Sequence, residues 1–316
     1  MFAARGIAVS FSVFAMVYCV LSLAVCLAWR PVWLRLQRRP IRRIADLLFT
    51  LRMLPLATAA IITAAFTVPS FVLLEPRAIE EPLGEIPLVL GIFGAGLGIL
   101  GIVNAGTALR RASRTVSTWT SAAQPVESSA PVPVLRISQV VPAMTATGIV
   151  RPKVLLSCVA EFLLTANELR TALNHEIAHV RRRDNLKKLL LRLVAFPGMS
   201  GLEAAWLEAT EMAADDAAVS TAGEALDLAA ALIKLSRLGL VEAPVDLTAA
   251  LVSSPGAVMN ARVNRLIAWS DARLAPPRRF SPWYGLSAAV AAGAVFAVTY
   301  SQLLVHVHTA TEWLVR

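Results

Sequence analysis

The chain has 316 residues, of which 57% are hydrophobic and 16% charged. A typical soluble protein has about 45 to 50% apolar and about 25% charged residues, so this composition excludes an ordinary soluble protein. A net charge of +9 is common among nucleic-acid-binding proteins. Here, however, the charges lie between apolar stretches, which is typical of a membrane topology, and we expect no direct contact with nucleic acid.

Four stretches contain no Asp, Glu, Lys or Arg: residues 6–29, 53–74, 86–109 and 283–307. Each is longer than the about 20 residues that a helix needs to cross a hydrocarbon core of ~30 Å. The sequence therefore predicts a membrane α-helical bundle with four transmembrane helices, embedded in a lipid bilayer.

The charges between these stretches predict their orientation. Between the first and second stretches lie seven arginines and a single acidic residue, Asp46, whereas four glutamates and one arginine lie between the second and third. Short loops rich in Arg stay in the cytoplasm. We therefore expect the N-terminus outside, the segment from about 110 to 282 in the cytosol, and the C-terminus outside.

The domain organisation follows from these spans and from composition. Residues 112–131 are rich in Ser, Thr, Ala and Pro, and residues 271–282 contain three prolines, which is typical of connectors. The predicted order is: 1–111 membrane region with three spans, 112–131 linker, 132–270 cytosolic domain, 271–282 linker, 283–307 fourth span, 308–316 short external tail.

The cytosolic domain has a mixed pattern that predicts an α+β fold. Apolar and polar residues alternate near 133–141 and 145–157, which favours short strands in a small antiparallel sheet. Thr165 and Glu168 then have the spacing of a capping box at the start of a helix. Two further helices are predicted near 201–221 and 224–240.

The motif that indicates chemistry is His175-Glu176-Ile177-Ala178-His179, within the capped helix. Residues four apart lie on one helix face, so His175 and His179 can present two imidazole nitrogens to one Zn²⁺. Glu176 is offset by one residue, where a carboxylate can act as the general base on a water.

A catalytic zinc usually has three protein ligands and an open position for water. The predicted helix near 201–221 places Glu208, Glu211 and Asp215 along one face. We choose Glu211 as the third ligand, with Glu208 as the alternative. Asp215 lies one turn after Glu211, where it can accept a hydrogen bond from a liganding histidine and fix its tautomer.

Together these features resemble the integral-membrane zinc metallopeptidases of the BlaR/MecR type, which are signal-transducing bacterial proteases with a zincin-like HExxH domain. The resemblance covers the span order, residues 148–157, the helix with the HExxH motif and Asp184, and residues 211–215. It implies one Zn²⁺ per chain held by His175, His179 and Glu211.

The same resemblance implies the other roles. Glu176 would be the catalytic base, Asp215 would support a ligand, and Arg262 would correspond to a late arginine that steadies such sites. It also implies a bacterial inner (cell) membrane. Because only residues 308–316 follow the fourth span, we expect the penicillin-binding sensor domain of these receptors to be absent.

The expected function is cleavage of a cytosolic protein, such as a transcriptional repressor, or of the chain itself, in signal transduction. An unprotected edge strand near 134–141 would hold the substrate in extended form. One alternative is a quality-control protease similar to the HtpX type, in which two spans separate the HExxH motif from the third ligand. The other is a non-catalytic membrane adaptor with a structural metal site.

Overall fold

The computed structural model describes residues 2–36, 40–76, 84–128, 130–138, 143–237, 247, 249–250, 256–269, 296 and 298–312. The chain divides into two compact units. The first unit consists of Met1–Trp29, Met53–Leu100 and Pro276–Arg316, and the second of Arg30–Arg52 and Gly101–Ala275. The second unit contains the HExxH motif.

The described part of the chain contains three long apolar helices, as the charge-free stretches predict. They cover Phe2–Trp33, Ile41–Leu74 and Glu85–Thr120, with mean hydropathies of 2.4, 2.0 and 2.4. Many of their large apolar side chains are exposed, which in water would be costly. Three of the four predicted spans are thus confirmed as helices suited to a membrane.

In detail, these helices are α1 (Phe2–Leu36), α2 (Ile41–Ile62), a π-helical turn (Thr63–Thr67), α3 (Val68–Leu74) and α4 (Glu85–Thr120). Most of the predicted fourth span, residues 283–307, lies outside the described residues. The described residues 298–312 near its end are helical.

A proline gap in the second span is closed by a side chain from residues 298–312. Pro69, near the start of α3, has no N–H to offer the carbonyl of Ala65 one turn earlier. The hydroxyl of Tyr300 donates a hydrogen bond to that carbonyl over 2.7 Å. Polar groups within a membrane need hydrogen-bond partners, and this contact satisfies the Tyr300 hydroxyl while its ring packs beside Phe66.

The second unit contains a five-stranded sheet among its described residues, with the order β1-β2-β4-β3-β5. The strands are β1 (Gln124–Val126), β2 (Val134–Ile137), β3 (Met144–Thr147), β4 (Lys153–Ser157) and β5 (Ala249–Ala250). The sheet is mixed and not antiparallel as predicted, because β2 and β4 pair in parallel. The tight β3–β4 turn, with Gly148 at φ +87°, returns β4 between β3 and β2.

Two predictions for this sheet differ from the structure. Strand β2 is not an unprotected edge, because β1 pairs with its outer side along all three of its residues. On the outer side of β3, the two residues of β5 are the ones that pair with it among the described residues. Strand β1 comes from the predicted 112–131 linker, and residues 112–120 of that linker continue helix α4. Their hydroxyl groups are compatible with a helix, since Thr118 and Thr120 each donate to the carbonyl four residues earlier.

Between residues 158 and 267, the described part of the second unit contains six helices: α5 (Cys158–Leu163), α6 (Ala166–Arg182), α7 (Asp184–Arg192), α8 (Ser200–Ala218), α9 (Ala222–Arg237) and α10 (Gly256–Ile267). The capping box at Thr165 and Glu168 is confirmed. The predicted helices near 201–221 and 224–240 correspond to α8 and α9, and residues 238–240 lie outside the described chain. Arg183, with φ +54°, ends α6 and redirects the chain into α7.

Candidate metal centre

Two histidines on α6 form the base of the site. His175 and His179 lie one helical turn apart, and their Nε2 atoms are 3.1 Å from each other. Both side chains are completely buried, at 0% and 1% exposure. The structure therefore confirms the prediction from helix geometry that the HExxH spacing directs two imidazole nitrogens to one point.

Helix α8 brings Glu211 to the same point. Its Oε2 lies 3.6 Å from Nε2 of His175, and its Oε1 lies 3.7 Å from Nε2 of His179. Zinc bonds of about 2.0 to 2.2 Å at tetrahedral angles require ligand atoms about 3.3 to 3.6 Å apart. The three side chains thus fit a divalent transition metal. Glu208, the alternative ligand, is half-buried and lies outside this cluster.

Glu176 is fully buried beside the three ligand candidates. Its Oε2 accepts a hydrogen bond from the backbone N–H of Ala146 in β3 at 2.6 Å. Its Oε1 has no hydrogen-bond partner among the described residues. Burial raises the pKa of this carboxyl to about 8, with a further contribution from the charge of Glu211. A buried carboxylate oxygen without a partner is ready to accept a hydrogen bond from water.

Each histidine has a carboxylate on its other ring nitrogen. Oδ1 of Asp215 lies 2.9 Å from Nδ1 of His175, as the spacing on α8 predicts. Oδ2 of Asp184 lies 2.8 Å from Nδ1 of His179. These carboxylates orient the rings and keep both Nε2 atoms toward the centre. No role for Asp184 follows from helical spacing, because the left-handed Arg183 interrupts the helix just before it.

Arg262 on α10 is fully buried against the carboxylates of α8. Its guanidinium donates two hydrogen bonds to Asp215, at 2.8 and 2.7 Å. Its third nitrogen lies 3.1 Å from Oε2 of Glu211. The charges of these carboxylates outweigh desolvation and raise the pKa of Arg262. The arginine therefore holds both acidic side chains in place from behind.

The charges of the cluster favour a cation at its centre. Burial alone would raise the pKa of Glu211, but the neighbouring His179, Arg262 and His175 lower it to about 2. For His175 burial alone would lower the pKa, but its hydrogen bonds to Asp215 and Glu211 raise the pKa to about 9. Glu211 thus stays ionised beside a histidine that binds a proton readily. Such a pair indicates a position where Zn²⁺ can take the place of the proton.

The first half of α2 contacts the helices that carry this site. It comprises residues 41–52, which belong to the second unit. Asp46 pairs with Arg182 of α6 and Lys187 of α7 at 3.2 and 3.1 Å. Arg42 donates to the carbonyl of Asp216 on α8 at 3.0 Å. The first half of α2 is thus in direct contact with α6, α7 and α8.

The choice of Glu211 over Glu208 can be tested by metal content. Glu211→Ala should lower the zinc bound by detergent-purified protein, because it removes one of three ligand groups. Glu208→Ala, on the same helix, should keep the zinc of the unmodified chain. Elemental analysis of both proteins measures the difference, and full occupancy in Glu211→Ala with loss in Glu208→Ala would reverse the assignment.

Comparison with known proteins agrees with this geometry. Residues 146–270 match the family model of Peptidase family M48. The matched region contains both histidines, Glu176, Glu211 and the supporting residues Asp184, Asp215 and Arg262. No curated protein matches the chain.

The match and the buried cluster together define an M48-like metallopeptidase domain. With the three apolar helices that precede it, the chain is a membrane-associated metallopeptidase.

Proposed function

We propose that this protein is a membrane-embedded zinc endopeptidase that cuts a cytosolic protein, such as a transcriptional repressor, or itself, in signal transduction, as the BlaR/MecR-type enzymes do. One observation carries the hydrolytic activity. Two imidazoles and a carboxylate converge at ligand distances beside a fourth group, Glu176, whose buried Oε1 has no partner among the described residues.

The chain's own residues account for the proton transfers of amide hydrolysis. Zn²⁺ held by His175, His179 and Glu211 would polarise the scissile carbonyl and lower the pKa of a water. Glu176, fixed through Oε2 on the amide of Ala146, takes a proton from that water at Oε1 and returns it to the leaving amine nitrogen. Burial raises the pKa of Glu176 to about 8, close to the pKa of a metal-bound water, which suits a group that must both accept and release a proton.

The substrate strand would pair with the outer edge of β3, which lies next to Glu176. Ala146 of β3 is bonded to Glu176 and is paired with Ala249 of β5. The two residues of β5 therefore occupy the position that an extended peptide would take by strand addition. Just before them, Leu247 is buried against Ala108 and Ala112 of α4. This arrangement supports the chain itself as one substrate or as a temporary block of its site.

Releasing β5 should raise the cleavage of other proteins. Leu247→Ser removes the apolar anchor of this segment, so an unfolded test protein such as casein should be cut several-fold faster. Leu226→Ser, at an exposed leucine on α9, is the matched control and should leave the rate unchanged. A slower rate for Leu247→Ser, with an unchanged melting temperature, would contradict a blocking role.

The regulatory function is supported by contacts of the first half of α2 within the second unit. Residues 41–52 touch the helices that carry the metal centre, and the same helix continues into the second span. Because α2 is one continuous helix from these residues into the second span, we infer that a signal reaches the domain along this helix. The quality-control alternative has less support, because every residue between His179 and Glu211 is described and no candidate span lies among them.

The proposed location is a bacterial inner (cell) membrane, with the N-terminus outside, the protease domain cytosolic and the C-terminus outside. The contrast between the Arg-rich and Glu-rich loops supports this orientation. Reporter fusions after Glu85, Gln124 and Arg316 should indicate outside, inside and outside. A cytosolic signal at Arg316 would remove the fourth span from the proposal.

A further inference from the structure

A second group of metal-ligating side chains lies in the first unit, separate from the HExxH site in sequence. Glu75 follows the end of α3, while His308 and Glu312 lie one turn apart in the helical residues 298–312. Nε2 of His308 is 3.4 Å from Oε1 of Glu312 and 3.8 Å from Oε2 of Glu75. A ligand atom from each side chain lies within 4.8 Å of the other two.

These separations are close to those of the HExxH cluster. Tetrahedral coordination with bonds of about 2.0 to 2.2 Å needs ligand atoms about 3.3 to 3.6 Å apart. The 3.4 Å pair already meets that value, and the 3.8 Å pair needs a shift of a few tenths of an ångström. His308 and Glu312 have the i, i+4 spacing that presents two ligands on one helix face, as His175 and His179 do.

The charge of the group also favours a divalent cation. Arg5 pairs with Oε1 of Glu75 at 2.9 Å, which leaves Oε2 toward His308. In the HExxH cluster an arginine also pairs with the ligand carboxylate, although there Arg262 contacts Oε2 of Glu211, the oxygen that also faces His175. Two carboxylates and one arginine give these three side chains a net charge of −1, which a bound divalent ion would reverse.

Partial burial places this group where water can complete a coordination shell. The side chains of Glu75 and His308 are 8% and 15% exposed, whereas that of Glu312 is 41% exposed. Three protein ligands with an accessible side form an open site and not a closed structural one.

We propose that Glu75, His308 and Glu312 form a second binding site for a divalent transition metal of the Zn²⁺ class. The bound ion ties the end of the second span to helical residues 298–312. In the proposed orientation the site faces the outside of the cell, so this ion comes from the external medium.

Zinc stoichiometry of the full-length protein in detergent tests the site. The unmodified chain should bind two equivalents at saturation, and His308→Ala should bind one. The matched control is His306→Ala, because His306 is an exposed histidine two residues earlier in the same helix and lies outside the group. This control should keep two equivalents. Two equivalents in His308→Ala, or an equal loss in both variants, would overturn the proposal.

The failure of this site can be distinguished from the failure of the protease proposal. His175→Ala should lose one equivalent and retain the one held by His308, and the double variant His175→Ala/His308→Ala should bind none. Zinc should raise the melting temperature of His175→Ala and leave that of the double variant unchanged. If zinc shifts both proteins equally, the three residues are an ion-pair cluster without a metal.

Discussion

Replacing Glu176 with glutamine should leave the protein folded and loaded with zinc while cleavage falls by ~10²- to 10⁴-fold, the usual contribution of a general base. Glutamine has nearly the same size as glutamate, and its carbonyl oxygen can still accept the hydrogen bond from Ala146. Its amide cannot take a proton from water. A loss of cleavage at full zinc content therefore separates the contribution of the base from that of the metal.

Glu208→Gln is the control for this experiment. It makes the same chemical change on α8, at a half-buried glutamate outside the metal cluster, and should cleave at the rate of the unmodified chain. Zinc content and fragment formation are measured on the same preparation. A Glu176→Gln protein that keeps full zinc and cuts at the unmodified rate would favour the adaptor with a structural metal.

Arg262→Met should have the largest effect on stability. The guanidinium is completely buried and compensates Asp215 and Glu211, which the substitution leaves ionised and without that partner. Removing one member of a buried charge group costs roughly 3–5 kcal/mol. Unfolding by denaturant in detergent should show this loss, together with a reduced zinc content, because Glu211 loses the group that positions it.

Arg265→Met provides the comparison three residues further along α10. Arg265 pairs with Asp216 at 2.6 Å, but both side chains are about a quarter exposed. Such a pair contributes about 0 to 1 kcal/mol. Equal losses in the two variants would show that burial of Arg262 gives its ion pairs no extra weight in stability, and would contradict the account.

Local spacing was sufficient to predict the parts of the site that lie on single helices. His175 and His179 share a face of α6, and Glu211 and Asp215 share a face of α8, so the 3.6-residue period places each pair together. The contact between Asp215 and His175 follows from the same period once the two helices pack. The charge-free stretches predicted three of the spans in the same local manner.

The remaining features depend on chain reversals and long-range packing. Asp184 reaches His179 only because Arg183 adopts a left-handed conformation between them. The buried role of Arg262 requires α10 to pack on α8, about fifty residues earlier. The edge strand was assigned to β2 and not to β3, because nothing local in Gln124–Val126 indicates a strand. Sequence patterning describes a strand's faces but not its neighbours.

Comparing protein N-termini in cells tests the central claim most directly. Cells carrying the unmodified chain, Glu176→Gln or Glu208→Gln at equal abundance are analysed for newly exposed N-termini. We predict that a small set of cytosolic cleavage products appears with the unmodified chain and Glu208→Gln and is lost with Glu176→Gln. Identical sets of N-termini in all three would contradict an endopeptidase that uses Glu176.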